Sequence, residues 1–272
     1  MTTWVSNGAE QDKIATSRMS ISFPHHPSLI AYFTCGDPDL DTSREIIFAA
    51  LDSGASIIEL GVPFSDPVAD GPVIERASQR ALRKGTDLGH VIQLASDIRK
   101  RSDAGLIIFS YLNPIMRFGL SDFASALKDA GVDGALITDL PVEESHSYLD
   151  EMRRRKLSTV FLAAPTSTDA RLKQIANHSS GFVYVVSRTG VTGARQQSPE
   201  DARNLVQRIR KYTKLPVAVG FGISTAEQFC SVGKFAEGAV VGSALVELIE
   251  RSPGKEAKSV AEFVEKLVSR NR

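Results

Sequence analysis

Residues 29–60 read LIAYFTCGDPDLDTSREIIFAALDSGASIIEL: an apolar run, a polar turn, a helical pattern and a second apolar run. The two runs, 29–34 and 55–60, are rich in β-branched and aromatic residues and lack clean period-two alternation. Parallel strands covered on both faces have this character. Asp41 and Thr42 stand where a helix cap is expected, so 41–53 predicts a helix between two strands.

The same unit recurs along the chain. Further apolar runs at 106–110, 134–138, 157–162, 182–187, 216–220 and 238–242 bring the strands to eight. Helical patterns lie near 87–101, 120–130, 143–155, 169–178, 199–212, 224–233 and 244–250, and a last one near 256–270 follows the repeat. Ser121-Asp122 and Ser198-Pro199-Glu200 open two of these, the second with proline at the first helical position. Eight βα units predict an α/β fold, a single (β/α)8 TIM barrel spanning 29–272 with a C-terminal helix. The rival is a doubly wound open sheet; the strand count favours the barrel, because long open parallel sheets are less common. Residues 1–28 fall outside the repeat and are expected to cap the barrel's N-terminal end or to be partly disordered.

Composition narrows the function. The 272 residues carry 32 basic and 32 acidic side chains, which suggests neither a nucleic-acid nor an anionic-membrane partner. No apolar run reaches the roughly 18 residues that span a bilayer. The opening MTTWVSNGAEQDK lacks the apolar core of a signal peptide. Cys35 and Cys230 are too few for a disulfide framework, and His25, His26, His90, His146 and His178 show no metal-ligand spacing. A reducing, cytoplasmic setting is expected.

In such barrels the chemistry sits on the loops after the strands. Glu59 ends the second strand, and a carboxylate out of water is costly unless paired. Side chains at i and i+2 share a strand face, so Glu59 points with Ile57 into the barrel mouth if Leu60 packs against the helices. The alternative for Glu59 is a structural carboxylate holding loop backbone. Asp66 and Asp70 lie on the turn of ELGVPFSDPVADG (59–71). Tyr111 and Asp139 are expected to end strands three and four. GFG (220–222) and GS (242–243), after strands seven and eight, are placed where barrels commonly bind phosphate, with a helix N-terminus at Ser243 adding its dipole. Gly193 could close a third side. Its loop, SRTGVTGAR (187–195), suits a lid that excludes water.

These segments together resemble a known family, the tryptophan synthase alpha subunits. The resemblance covers about 28–250 and rests on TCGDPD (34–39), ELGVPFSDPVADGP (59–72), DLPVEE (139–144), SRTGVTG (187–193), GFGIS (220–224) and GSA (242–244), all in the family's order. It implies a carbon–carbon lyase that splits indole-3-glycerol phosphate into indole and glyceraldehyde 3-phosphate. It also implies a PLP-dependent beta subunit as partner, in an αββα assembly, and no cofactor in this chain. Glu59 matches the family's catalytic acid–base and Asp70 its second catalytic carboxylate. Gly193, Gly222, Gly242 and Ser243 match positions around the phosphate. Tyr32, Phe109, Leu136, Leu162, Tyr184 and Phe221 match the indole pocket, with Tyr111 beside Glu59. Arg188 and Thr192 fall on the lid, and the turn at Asp66 matches the region facing the beta subunit. Upstream, RMSISFPHHPS (18–28) departs from the family's Phe-rich capping segment.

The chemistry asks for two carboxyl groups in different states. Glu59 is expected to have a raised pKa from apolar walls and from Asp66 and Asp70, and Asp70 to stay ionised against the indole N–H. A stand-alone, plant-type indole-releasing lyase would use the same groups without a partner. A non-catalytic activator of the beta chain is the third reading, and the presence of both carboxylates speaks against it.

Overall fold

The computed structural model describes residues 22–186, 199–220 and 222–269. Eight parallel strands close into a barrel in sequence order: β1 Ser28–Thr34, β2 Ile57–Gly61, β3 Gly105–Ser110, β4 Gly134–Ile137, β5 Ser158–Ala163, β6 Val183–Val186, β7 Val217–Gly220 and β8 Gly238–Val241. The ring closes through β1 and β8, with Ser28 opposite Gly238. The barrel, not the open sheet, is the fold.

Among the described residues eleven α-helices surround the barrel or come after it. They are α1 Leu40–Asp52, α2 Pro72–Arg83, α3 Leu88–Arg99, α4 Leu112–Phe118, α5 Leu120–Asp129, α6 His146–Arg154, α7 Asp169–His178, α8 Pro199–Ile209, α9 Ala226–Val232, α10 Ser243–Glu250 and α11 Glu256–Val268. Two of them, α2 and α4, go beyond the sequence expectation. The first buries only small side chains, Ala77, Ser78 and Ala81, so its apolar face is faint in sequence. The second carries Pro114 near its start, which reads as a breaker, and exposes Met116 and Phe118.

Caps and strand ends shift by a few residues. The cap of α1 is Asp39 rather than Asp41 or Thr42; its Oδ1 accepts the Thr42 N–H at 2.8 Å. Gly119, at φ 96°, separates α4 from α5, and Ser121-Asp122 lie inside the first turn of α5. Tyr111 and Asp139 stand just beyond β3 and β4. Tyr111 occupies the N-cap position of α4, and Asp139 Oδ1 accepts the Leu112 N–H at 2.7 Å.

Alternation along each strand divides the apolar residues into two sets. Leu29, Ala31, Phe33, Ile58 and Leu60 pack outward against the helices. Ile30, Ile57, Ile107, Leu136, Val160, Phe182, Ala218 and Val240 form a separate buried cluster that fills the barrel. Below this floor Phe23 sets its ring edge-on to Phe182, with centroids 5.8 Å apart. A side-chain carbon on Gly238 would come within 2.8 Å of Phe23, so glycine there makes room for it. Phe23 therefore closes one end of the barrel and leaves the other end, where the strands finish, for a site. Residues 1–21 of the expected cap lie outside the described residues.

Candidate active site

One level above the floor, the inward positions change character. Continuing by two residues from Ile30, Ile57, Ile107, Val160, Phe182, Ala218 and Val240 reaches Tyr32, Glu59, Phe109, Leu162, Tyr184, Gly220 and Gly242. Tyr32 stands opposite Glu59 in the β1–β2 register, and Leu162 opposite Tyr184 in the β5–β6 register. Leu136, expected on the pocket wall, stands opposite Phe109 in the β3–β4 register and is fully buried in the cluster against which Phe109, Leu162 and Tyr184 pack.

Glu59 is fully buried, and neither carboxyl oxygen has a hydrogen-bond partner among the described residues. Burial penalises its charge and pushes its pKa up to about 8. The expected help from Asp66 and Asp70 is not needed: removal from water is the cause. At neutral pH the group is mainly a neutral acid, which is how an unpartnered carboxyl is tolerated there. A carboxylate holding loop backbone would have an amide partner, and Glu59 has none among the described residues.

Asp70 is 9% exposed. Burial raises its pKa to about 6, the Tyr111 hydroxyl opposes that rise, and Glu75 adds to it. Tyr111 thus serves the Asp70 segment: its hydroxyl accepts the Ala69 N–H at 3.0 Å and hydrogen-bonds toward Asp70. The ring is held against Phe64, with centroids 5.1 Å apart. Asp66 is exposed and takes the Ser65 hydroxyl, unlike the two buried carboxyl groups.

The aromatic side of the mouth is tightly fitted. Tyr32 meets Phe109 edge-on at 5.1 Å, and its hydroxyl lies 3.4 Å from Thr34 Oγ1. A side-chain carbon at Gly61 would fall 2.4 Å from the Tyr32 oxygen, and one at Gly220 would fall 2.5 Å from the Tyr184 oxygen. Each tyrosine therefore leans over a glycine of the neighbouring strand. Burial raises both phenols well above their ordinary range, with Asp70 next for Tyr32 and Glu59 next for Tyr184. Gly61 and Thr34 belong to this fit, and nothing in the sequence singles them out.

The opposite rim carries the glycines. Gly222 has φ +75°, a conformation that favours glycine, and nothing among the described residues lies within 4 Å of where a side-chain carbon would be. Gly242 precedes α10 and passes over Tyr32, and Ser243 is exposed at the first turn. Backbone N–H groups at such a helix start lack intrahelical partners and suit an anion. Gly193, Arg188, Thr192 and Phe221, expected on the phosphate site, lid and pocket, lie outside the described residues.

A sequence profile described as "Tryptophan synthase alpha chain" matches residues 21–271. The chain belongs to the tryptophan synthase alpha chain family. A tryptophan synthase alpha chain from Solibacter usitatus is 51% identical over 225 residues, covering 83% of this chain and 84% of the relative. One from Geotalea uraniireducens is 44% identical over 246 residues, 90% of this chain and 92% of the relative. Among solved structures, the tryptophan synthase complex from Pyrococcus furiosus has a chain 39% identical with a TM-score of 0.83, covering 90% of this chain and 98% of that one. A Mycobacterium tuberculosis tryptophan synthase chain is 32% identical with a TM-score of 0.85, covering 93% and 98%. The buried carboxyl pair thus stands at the mouth of a tryptophan synthase alpha chain barrel. No helix among the described residues is long and apolar enough to cross a membrane.

Proposed function

We propose that this chain cleaves indole-3-glycerol phosphate to indole and glyceraldehyde 3-phosphate by a retro-aldol reaction. The observation that carries the reading is Glu59, a buried carboxyl group at the barrel mouth with no hydrogen-bond partner among the described residues and a pKa of about 8. Protonated, it gives its proton to C3 of the indole ring. Positive charge then develops on the ring nitrogen, and Asp70, mainly ionised at neutral pH, accepts the N1–H hydrogen bond. The Glu59 carboxylate next removes the C3′ hydroxyl proton. The C3–C3′ bond breaks, its electron pair returns to the ring as indole leaves, and the new carbonyl belongs to glyceraldehyde 3-phosphate. Glu59 ends the cycle protonated, so one group serves both proton transfers. Gly222, Gly242 and Ser243 would hold the phosphate through backbone N–H groups. Tyr32, Phe109, Leu162 and Tyr184 would enclose the indole.

The same reading makes the chain the alpha subunit of a cytoplasmic αββα complex whose beta subunit carries PLP and consumes the indole. Support comes from the exposed turn around Asp66, where Val68 is 72% exposed, and from Met116 on α4, 58% exposed. These apolar side chains are available to a protein partner.

The test is to incubate the purified chain with indole-3-glycerol phosphate and follow glyceraldehyde 3-phosphate, with and without a beta subunit. Cleavage that the beta subunit stimulates is expected. No cleavage in either condition would contradict the assignment.

A further inference from the structure

We infer that Arg80 is a positioning residue that sets the span between the indole end and the phosphate end of the site, an inference that rests on the retro-aldol reading. Two helices flank that span. Pro72 starts α2 two residues after Asp70, and Ser243 starts α10 directly after Gly242. They meet over β1 along an apolar seam in which Ala77, Val246 and Tyr32 are buried together, with Val73 and Ile74 packed against them.

Beyond the seam the contact becomes ionic. Arg80 Nε and Nη2 donate to Asp37 Oδ1 and Oδ2 at 2.7 and 2.8 Å, and Nη1 donates to Glu250 Oε1 at 2.6 Å. Arg76 adds two bonds to Glu250, at 3.0 and 2.7 Å. Asp37 is buried, three residues past Thr34 on the strand that carries Tyr32. Arg76 and Arg80 hold the Glu250 carboxyl down to about 2, so the Glu250 arm of the latch stays charged at any working pH.

A planar guanidinium can grip one carboxylate with two nitrogens while a third reaches another; a lysine cannot. Arg80 thereby joins the helix after Asp70, the helix after Gly242 and the end of β1. A substrate gripped at both ends gains from a fixed distance between the grips, because the second contact is then intramolecular. A ligand that touches one end does not.

This difference separates positioning from mere stability. Binding to the full chain would be measured for three probes: indole, glycerol 3-phosphate, and a non-cleavable analogue with indole and phosphate joined by a propyl chain. In Arg80→Gln the two-ended analogue should weaken by about tenfold or more, while the one-ended probes change by less than about twofold. Arg80→Lys should fall between this variant and the unsubstituted chain. Glu250→Gln, which leaves the Arg80–Asp37 pair intact, should repeat the pattern more weakly and serves if Arg80→Gln does not fold. Equal weakening of all three probes, or an unchanged analogue, in a folded variant would overturn the latch alone. Failure of the unsubstituted chain to bind the analogue would overturn the site reading and the latch with it.

Discussion

Tyr32 and Glu59 stand opposite each other in the β1–β2 register, and the carboxyl group beside that phenol accepts no hydrogen bond from any described residue. Around it stand apolar or aromatic side chains: Ile57 below, Ile107 opposite on β3, and Tyr184 near enough for its phenol to feel the Glu59 charge. The barrel has built a dry position for an acid. That dryness governs the protonation of Glu59, and through it both stability and catalysis.

Glu59→Gln keeps the shape of the side chain and removes the proton. General acid–base groups contribute about 10²–10⁴-fold, so kcat should fall by at least 10². Steady-state rates of glyceraldehyde 3-phosphate release check this. A near-normal rate in a folded Glu59→Gln protein would remove Glu59 from the mechanism.

The same substitution has an opposite effect on stability. Glu59 titrates near 4.5 when unfolded and at about 8 when folded, so the folded state holds an extra proton between those values. Stability contributed by the neutral form is therefore full below about 4.5, declines as pH rises through this window, and levels off above about 8. The Gln variant lacks that decline. It should gain on the unsubstituted chain as pH rises, by of order 3–5 kcal/mol at the plateau. Urea unfolding at several pH values measures the difference; a constant difference across pH would contradict a raised Glu59 pKa.

Activity should depend on pH with two limbs. Cleavage needs Asp70 ionised and Glu59 protonated, so kcat/KM should fall below about 6 and above about 8. Asp70→Asn should lower the rate and abolish the acid limb while the alkaline limb stays. An unchanged acid limb in that variant would mean that another group titrates there.

Tyr111→Phe tests how Asp70 is held. The hydroxyl opposes the rise in the Asp70 pKa, so its loss should move the acid limb to higher pH. It also leaves the Ala69 N–H without its partner, at a cost of about 1 kcal/mol. Pairing the pH–rate profile with thermal unfolding separates the two effects. A limb that does not move would show that Tyr111 only packs.

Gly61→Ala addresses the fit around Tyr32. The added carbon would fall 2.4 Å from the phenol oxygen, so the ring must shift against Phe109. Overpacking of this kind costs about 1–3 kcal/mol, and the displaced ring should raise KM. Unfolding and kinetics together check it; a variant with unchanged KM would mean that the Tyr32 ring does not shape the pocket.

The parts of this site that obey a short period are legible in the chain. Alternation by two places Ile57 and Glu59 inward and Leu60 outward, and the structure agrees on each. Eight apolar runs with helical patterns between them lead to the closed barrel. What long-range contact decides is not legible. Tyr111 and Ala69 are 42 positions apart, and only the folded chain brings the hydroxyl to the amide. The helix α2 escapes the sequence pattern because small residues form its buried face, and with it goes the Arg80 bridge across 170 positions to Glu250. The Glu59 shift is legible in part. The expected apolar walls act, through depth in the barrel, whereas the charges of Asp66 and Asp70, expected from their spacing in the chain, are not among its causes.

Both proton transfers depend on Glu59 standing as a neutral acid at neutral pH. Its titration in the folded chain tests that most directly, by NMR of protein labelled at the glutamate side-chain carboxyl carbon, with the Glu59 signal assigned by its loss in Glu59→Gln. A midpoint of about 8 is predicted, and a midpoint near the ordinary 4.5 would contradict the account.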